Sequence, residues 1–455
     1  MPIKPLVGRG ALTAAVAAAL SAATVALPAA ALAATPDDPM FQQQWPMARE
    51  SVLGRAAAWQ QSTGAGVVVA VLDTGVNFAH PDLQGAFWTN PGEIPGNHID
   101  DDHDGFVDDV HGADIVNHDG DPTDDEGHGT HVTGLIAARA GNHIGGVGLA
   151  PDAQVMVVKV LDRHRSGTAG GLADGIRYAL DHGAKIINTS VNGDGQSRAL
   201  MDALRAATNA GALVVASSGN DGRNIDLNPS YPASYPDPSV ISVGSDGQSG
   251  ALSSFSNRGL VSVDIAAPGE DVLSTAADGG YEMRSGTSMA APLVAATLAL
   301  MSAARPELDG PALRTALLSS ARRTTVLNGA LVTGALDTAA AVSAVSGTLP
   351  DAPLTVPTVS AARTTRGAVV SWSLSGDSAA VASVRLVVDG RTVAQRAAAA
   401  SDSLRIRLRP GLHRARIVAL DAAGTQLAEG LGVFRVKLAD WRSVRTKASS
   451  ARKSS

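Results

Sequence analysis

Two hydrophobic patterns divide the 455 residues of this chain. The first is a series of short apolar runs, unbroken at 67–72 and 212–216 and interrupted only by Lys159 at 155–160. A strand with one wet face alternates apolar and polar residues, so unbroken runs of this length read as strands buried on both faces. A further strand is expected at 185–189, with helices at 170–181 and 197–210 between the strands. Such alternation from about residue 72 to 318 means βαβ units, and hence an α/β domain whose parallel sheet is covered by helices on both faces. The apolar stretch 289–301 reads as a buried core helix, with Pro292 tolerable in its first turn.

The second pattern begins near residue 358, where apolar and polar residues alternate in Val369-Val370-Ser371-Trp372, Val384-Arg385-Leu386-Val387-Val388 and Leu404-Arg405-Ile406-Arg407-Leu408. Turn signals Asp389-Gly390 and Pro410-Gly411 separate them. Short strands at this spacing predict a small C-terminal all-β, sandwich-like domain over 358–438, either a spacer or a module that binds a surface or polymer. Pro, Thr and Ser fill 346–357, which reads as a linker, and 439–455 reads as a basic, disordered tail.

The N-terminus changes the picture of location. Lys4 and Arg9 precede an Ala-rich apolar run over 11–27, and Ala31-Leu32-Ala33 supplies a small-residue cleavage site. This is the pattern of a secretory signal peptide over 1–33, with an uncleaved membrane anchor as the alternative, so the chain is expected to be secreted. From 34 to 62 the sequence is polar and irregular, with Trp45 and Trp59 as anchors, and the large domain is expected over 63–345. Hydrophobic residues make up 45% of the chain, enough for one large core and a smaller one. A net charge of −7 gives no basic field for nucleic acid, and no later segment reads as a stable membrane span. Cysteine is absent, which excludes disulfides, a thiol nucleophile and cysteine-ligated zinc.

Three segments carry candidate chemistry. Asp73 ends the first apolar run, at the strand end where open α/β sheets place their sites. His128 opens a helix-forming segment, and Ser288 stands at the head of the apolar helix. A serine hydroxyl becomes nucleophilic when a base takes its proton, and histidine suits the base role because its free pKa of about 6.5 is near working pH. An aspartate on the far ring nitrogen fixes the tautomer and stabilises the imidazolium. Singly, the three residues read as a solvated strand end, a helix cap and an N-cap; together they read as catalytic. His131 reads as structural, because the Glu of a zinc-protease pair is missing between it and His128.

The strings Val71-Leu72-Asp73-Thr74-Gly75-Val76, Gly127-His128-Gly129-Thr130-His131-Val132 and Ser285-Gly286-Thr287-Ser288-Met289-Ala290-Ala291-Pro292 resemble those of the subtilisin-type serine peptidases, the subtilase family, whose triad has this chain order. The resemblance covers roughly residues 38–345. It implies a subtilisin-like fold and a serine endopeptidase that hydrolyses protein or peptide substrates, as a monomer, through an acyl-enzyme of the Asp73, His128, Ser288 triad. Asn220, in Ala216-Ser217-Ser218-Gly219-Asn220, matches the family's oxyanion donor, with the Ser288 backbone N–H as the second. Ser190, Val191 and Asn192 match the edge that pairs with substrate, and Ser218 and Gly219 the facing wall, implying a pocket for uncharged, medium-to-large side chains. Val191 and Asn192 replace the family's usual Leu-Gly. Most secreted members carry a folding propeptide, for which 34–62 leaves no room; the alternative is therefore a non-proteolytic secreted binding protein that keeps the fold. An α/β-hydrolase is excluded, since no second glycine follows Ser288 as a nucleophile elbow requires.

Between Asp73 and His128 lies a carboxylate-dense insertion over 97–126. Asp100, Asp102, Asp104 and Gly105 fit Asp-x-Asp-x-Asp-Gly, which sets oxygens around a hard cation. Asp108 adds a ligand at the ninth position, and His111 stands where an EF-hand has its glutamate, so the expectation is a calcium loop and not an EF-hand; a solvated acidic loop is the bland alternative. The resemblance adds a second calcium site at Asp38, Asp82 and the loop Asn142-His143-Ile144-Gly145. Both would be structural.

Overall fold

The computed structural model describes residues 35–346 and, beyond them, 355–364, 367–375, 381–389, 391–399, 401–407, 411–420, 422 and 426–436. The expected signal peptide, residues 347–354 of the expected linker and the basic tail lie outside the described residues.

Strands β1 (Val68–Asp73), β2 (Gln154–Lys159), β3 (Ile186–Thr189), β4 (Leu213–Ser217), β5 (Val240–Asp246) and β6 (Ile265–Pro268) form one sheet in the order β2-β1-β3-β4-β5-β6. Every pairing in it is parallel. The unbroken apolar runs are explained by the two cores that sandwich the sheet. Val69 and Val71 face one core with helices His128–Ala137 and Thr287–Ala304, while Ala70 and Leu72 face the other with helices Ala169–Asp181 and Arg198–Asn209. Each such side chain removed from water contributes about 1.5–3 kcal/mol when large and aliphatic. Helix Thr287–Ala304 is long and apolar enough to cross a membrane, but 83% of that stretch is buried, and it packs in the core beside the sheet. A hairpin of β7 (Val272–Thr275) and β8 (Tyr281–Arg284) leads into it.

The segment expected to be irregular is a chain of short helical turns, Phe41–Gln43, Trp45–Ala48, Glu50–Leu53 and Arg55–Trp59. Turns of three to five residues are too short to show a helical period, and they hold because their anchors are buried. Trp59 is fully buried and its Nε1–H donates to the Leu149 carbonyl at 2.8 Å; Trp45 Nε1–H donates to Glu270 O at 3.0 Å. Gly54 joins two of these turns at φ 67°, where a side chain would also strike Ala339.

The C-terminal strands are antiparallel. β9 (Thr355–Thr364), β10 (Gly367–Ser375) and β13 (Ser401–Arg407) form a sheet in the order β13-β10-β9, and β11 (Ser383–Val388), β12 (Arg391–Ala397), β14 (Gly411–Leu420) and β15 (Gln426–Val436) one in the order β12-β11-β14-β15. Trp372 and Ile406 of the first share a core with Leu386 and Ile417 of the second, the arrangement of two sheets face to face.

Candidate active site

Asp73 stands at the C-terminal end of β1 and is 1% exposed. Its Oδ1 accepts the Thr74 N–H at 2.8 Å and lies 2.7 Å from His128 Nδ1, so the far side of the imidazole is held by a buried carboxylate. His128 opens its helix with a side chain 2% exposed, and its Nε2 has no partner among the described residues. With Nδ1–H committed to Asp73, Nε2 carries the lone pair a general base needs.

A second carboxylate organises this junction. Asp124 accepts hydrogen bonds from the Thr74 hydroxyl, the Thr130 N–H and hydroxyl, and the N–H groups of Glu126 and Gly127. Burial opposes the charge, but these hydrogen bonds outweigh it and hold the carboxyl below the usual range. Thr74 Oγ1 in turn accepts the Gly129 N–H at 2.9 Å. The approach is so close that a Cβ on Gly129 would lie 2.1 Å from Gly75 O, so only glycine fits. Nothing in the sequence singles out Asp124, because it lies inside the acidic stretch read as a cation loop.

Ser288 is the second residue of its helix and is 6% exposed. Its Oγ donates to Ser190 O at 3.2 Å, and Ser190 Oγ donates to Ser288 O at 3.0 Å, so the resting hydroxyl is turned toward the substrate edge instead of His128. Asn220 Oδ1 accepts both the Thr287 N–H at 2.8 Å and the Thr287 hydroxyl at 2.9 Å. Fixing that oxygen leaves the Nδ2 hydrogens for the cleft. Thr287 N–H is taken by Asn220 and Met289 N–H by Gly286 O, so the Ser288 amide is the orphan donor at the positive end of the helix. Ser288, His128 and Asn220 line one cleft of about 350 Å³ with Glu126, Arg165 and Arg284. Glu126 accepts the His128 N–H at 2.8 Å and lies 3.6 Å from Arg284.

The expected substrate edge lies beside Ser288. Ser190 is buried, Val191 half-buried and Asn192 exposed, while the following Gly193 already pairs with Tyr231. Val191 and Asn192 line a second cleft of about 250 Å³ with Leu161, Leu172 and Tyr231. Across the gap, Ser218 and Gly219 are pinned by Asn257, whose Nδ2–H donates to Ser218 O at 2.9 Å, and by the Thr287 hydroxyl, which accepts the Gly219 N–H at 3.1 Å. Asn257 lies outside every motif and carries no signal in the sequence.

The two expected cation sites differ in assembly. Asp38 accepts the Gly141 and Asn142 N–H groups, and Asp82 accepts the Asn142 side-chain amide at 2.7 Å, the Gly146 N–H and the Tyr281 hydroxyl. Burial raises both carboxyls, Asp82 to about 6, and repulsion from Asp38 adds to the rise at Asp82. Two buried carboxylates close enough to repel are a donor set a hard cation would satisfy. In the insertion, Asp100 and Asp102 come together with Glu93, and Asp102 and Asp104 with His182, each set offering ligand atoms within 4.8 Å of one another. Asp108 belongs to neither set; its carboxylate accepts the N–H groups of Gly96, Asn97 and His98.

Residues 64–346 match the Subtilase family model. A thermophilic serine proteinase of Bacillus sp. (strain AK1) is 41% identical over 245 residues, 54% of this chain and 54% of that protein, so the chain spans about half the length of this relative. Thermitase of Thermoactinomyces vulgaris is 39% identical over 269 residues, covering 59% of this chain and 85% of thermitase. Among solved structures, a protease of Pseudoalteromonas arctica PAMC 21717 superposes with a TM-score of 0.58 at 32% identity, covering 69% of this chain and 100% of that one.

His131 yields a test of the geometry behind the site. Its Nε2 lies 3.2 Å from the carbonyls of Val272 and Glu282, and burial, with the nearby Arg284 charge, pushes its pKa down to about 3. The unfolded chain takes up a proton near the ordinary pKa of about 6.5 that the native state refuses until about 3, so the stability this ring provides is complete above pH 6.5 and is lost as pH falls toward 3. The wild type should therefore exceed His131→Gln in stability by a wide margin at pH 8 and by a narrower one at pH 4.5, measured by urea unfolding. Equal margins would contradict a buried neutral ring.

Proposed function

The chain belongs to the subtilase family, and from that premise we propose that it is a secreted serine endopeptidase acting on proteins and peptides through an acyl-enzyme. The observation that carries the reading is the buried 2.7 Å contact of His128 Nδ1 with Asp73, with His128 Nε2 unpartnered among the described residues and His128 lining the same cleft as Ser288.

The substrate backbone would add as a strand along Ser190 to Asn192, which places its carbonyl over Ser288. Rotation about the Ser288 side chain then exchanges the hydrogen bond to Ser190 O for one to His128 Nε2. As Ser288 Oγ bonds to the carbonyl carbon, its proton passes to His128, and Asp73 stabilises the imidazolium. The oxyanion is met by Asn220 Nδ2 and the Ser288 N–H, both fixed before the reaction begins. Collapse breaks the C–N bond, His128 returns the proton to the leaving amine, and water repeats the cycle on the ester.

Calcium would be structural in this reading, held by Asp38, Asp82 and the Asn142 loop and by the carboxylates Asp100, Asp102 and Asp104, with Asp108 bracing the loop from outside. Secretion rests on the N-terminal pattern of residues 1–33.

Two outcomes test the proposal. Purified protein lacking residues 1–33 should hydrolyse casein, Ser288→Ala should abolish the activity, and Asn220→Ala should lower kcat by about 10²–10³ with little change in KM, a magnitude established on subtilisin itself. Failure of a folded wild-type protein to cleave casein would point instead to a binding protein. Chelation by EDTA should lower the melting temperature by roughly 5–10 °C, the size expected for losing a ligand bound well above its Kd. An unchanged melting temperature would remove calcium from the account.

A further inference from the structure

Lys159 is a charged side chain that the reaction does not use, yet it is one of the largest fully buried side chains of the protein. It ends β2 as the register partner of Asp73, and neighbours in register on parallel strands project to the same face of a sheet. Only 2% of its side chain is exposed. The ammonium donates to Thr74 O at 2.7 Å and to Asp125 Oδ1 at 2.7 Å.

Removing an ammonium from water is costly, and an apolar residue of similar volume would fill such a site at less cost. The two acceptors show what the charge accomplishes. Thr74 follows Asp73 directly, and Asp125 belongs to the segment that delivers His128. One buried cation therefore ties together the two stretches of backbone that must hold the Asp73–His128 contact at 2.7 Å. The Thr74 hydroxyl to Asp124 bond joins the same stretches through neutral and acidic partners. Lys159 also holds its own strand in place, with its N–H on Ala113 O and its carbonyl accepting the Ile115 N–H, so its stem has little freedom to shift.

We infer that Lys159 is a positioning residue of the catalytic apparatus, whose ammonium clamps the strand end bearing Asp73 to the segment bearing His128 through Thr74 O and Asp125. It never touches substrate. The inference rests on the peptidase reading above.

Kinetics with active-site titration separate positioning from mere stabilisation of the fold. In Lys159→Met, kcat per titrated serine should fall roughly tenfold, the order expected for a small misplacement of catalytic groups, while KM stays within about twofold. Lys159→Arg, which keeps the charge and both acceptors within reach, should recover most of the loss. Asp125→Asn weakens one end of the clamp by replacing a carboxylate that is 48% exposed with a neutral amide oxygen, so it should fold and show a smaller fall in the same direction. If Lys159→Met does not fold, Asp125→Asn decides alone. Wild-type kcat per titrated serine in either folded variant would overturn the inference while leaving the peptidase reading intact. A folded wild-type chain without titratable serine would overturn both.

Discussion

Everything at the C-terminal end of β1 follows from keeping one carboxylate, Asp73, aimed while almost entirely out of water. A buried carboxylate is held by its hydrogen bonds, and Asp73 has both of its contacts on Oδ1, from Thr74 and His128, while Oδ2 has no partner among the described residues. Thr74 supplies an N–H to Asp73 and commits its hydroxyl to Asp124; Asp124 gathers the first turn of the His128 helix; Gly129 lets that turn approach within contact of Gly75. The imidazole is thereby placed by a lattice of backbone and hydroxyl contacts, and its own bond to Asp73 is the last member of that lattice.

Ser288, the proposed nucleophile, obeys a different constraint. It takes its place from the N-terminus of a helix whose body is locked in the core, so the orphan amide and the positive end of the helix are fixed by apolar packing far from the cleft. Thr287 connects the two systems. It turns Asn220 by occupying its oxygen and steadies Gly219 by accepting its N–H, so Asn220 and Gly219 are tied together through one side chain. The reciprocal Ser190 and Ser288 hydrogen bonds join them to the proposed substrate edge.

Much of this arrangement is legible in the order of residues alone. The unbroken run at 67–72 is a strand because both of its faces are buried, and the alternation that follows is the βαβ pattern the sheet displays. The triad strings carry their own local physics: a strand end, a helix mouth, a helix N-terminus. The features without a sequence signal depend on contacts distant along the chain. The turns between 41 and 59 exist because Trp59 reaches Leu149 and Trp45 reaches Glu270, and a run of four residues shows no periodicity. Asp124 reads as one more carboxylate in an acidic run, and only the fold distinguishes it from Asp100 or Asp102. Glu93 and His182 join the acidic loop from outside its motif, while Asp108, which the motif includes, serves the backbone of residues 96–98.

The central claim is that Asp73, His128 and Ser288 operate as one unit, and reaction with a serine-directed fluorophosphonate tests it most directly. Protein lacking residues 1–33 would be treated with the reagent and the modified peptide identified by mass spectrometry. A single adduct on Ser288 that disappears in His128→Ala is the expected result. No adduct on folded, calcium-loaded protein, or an adduct that forms equally fast without the His128 imidazole, would contradict the claim.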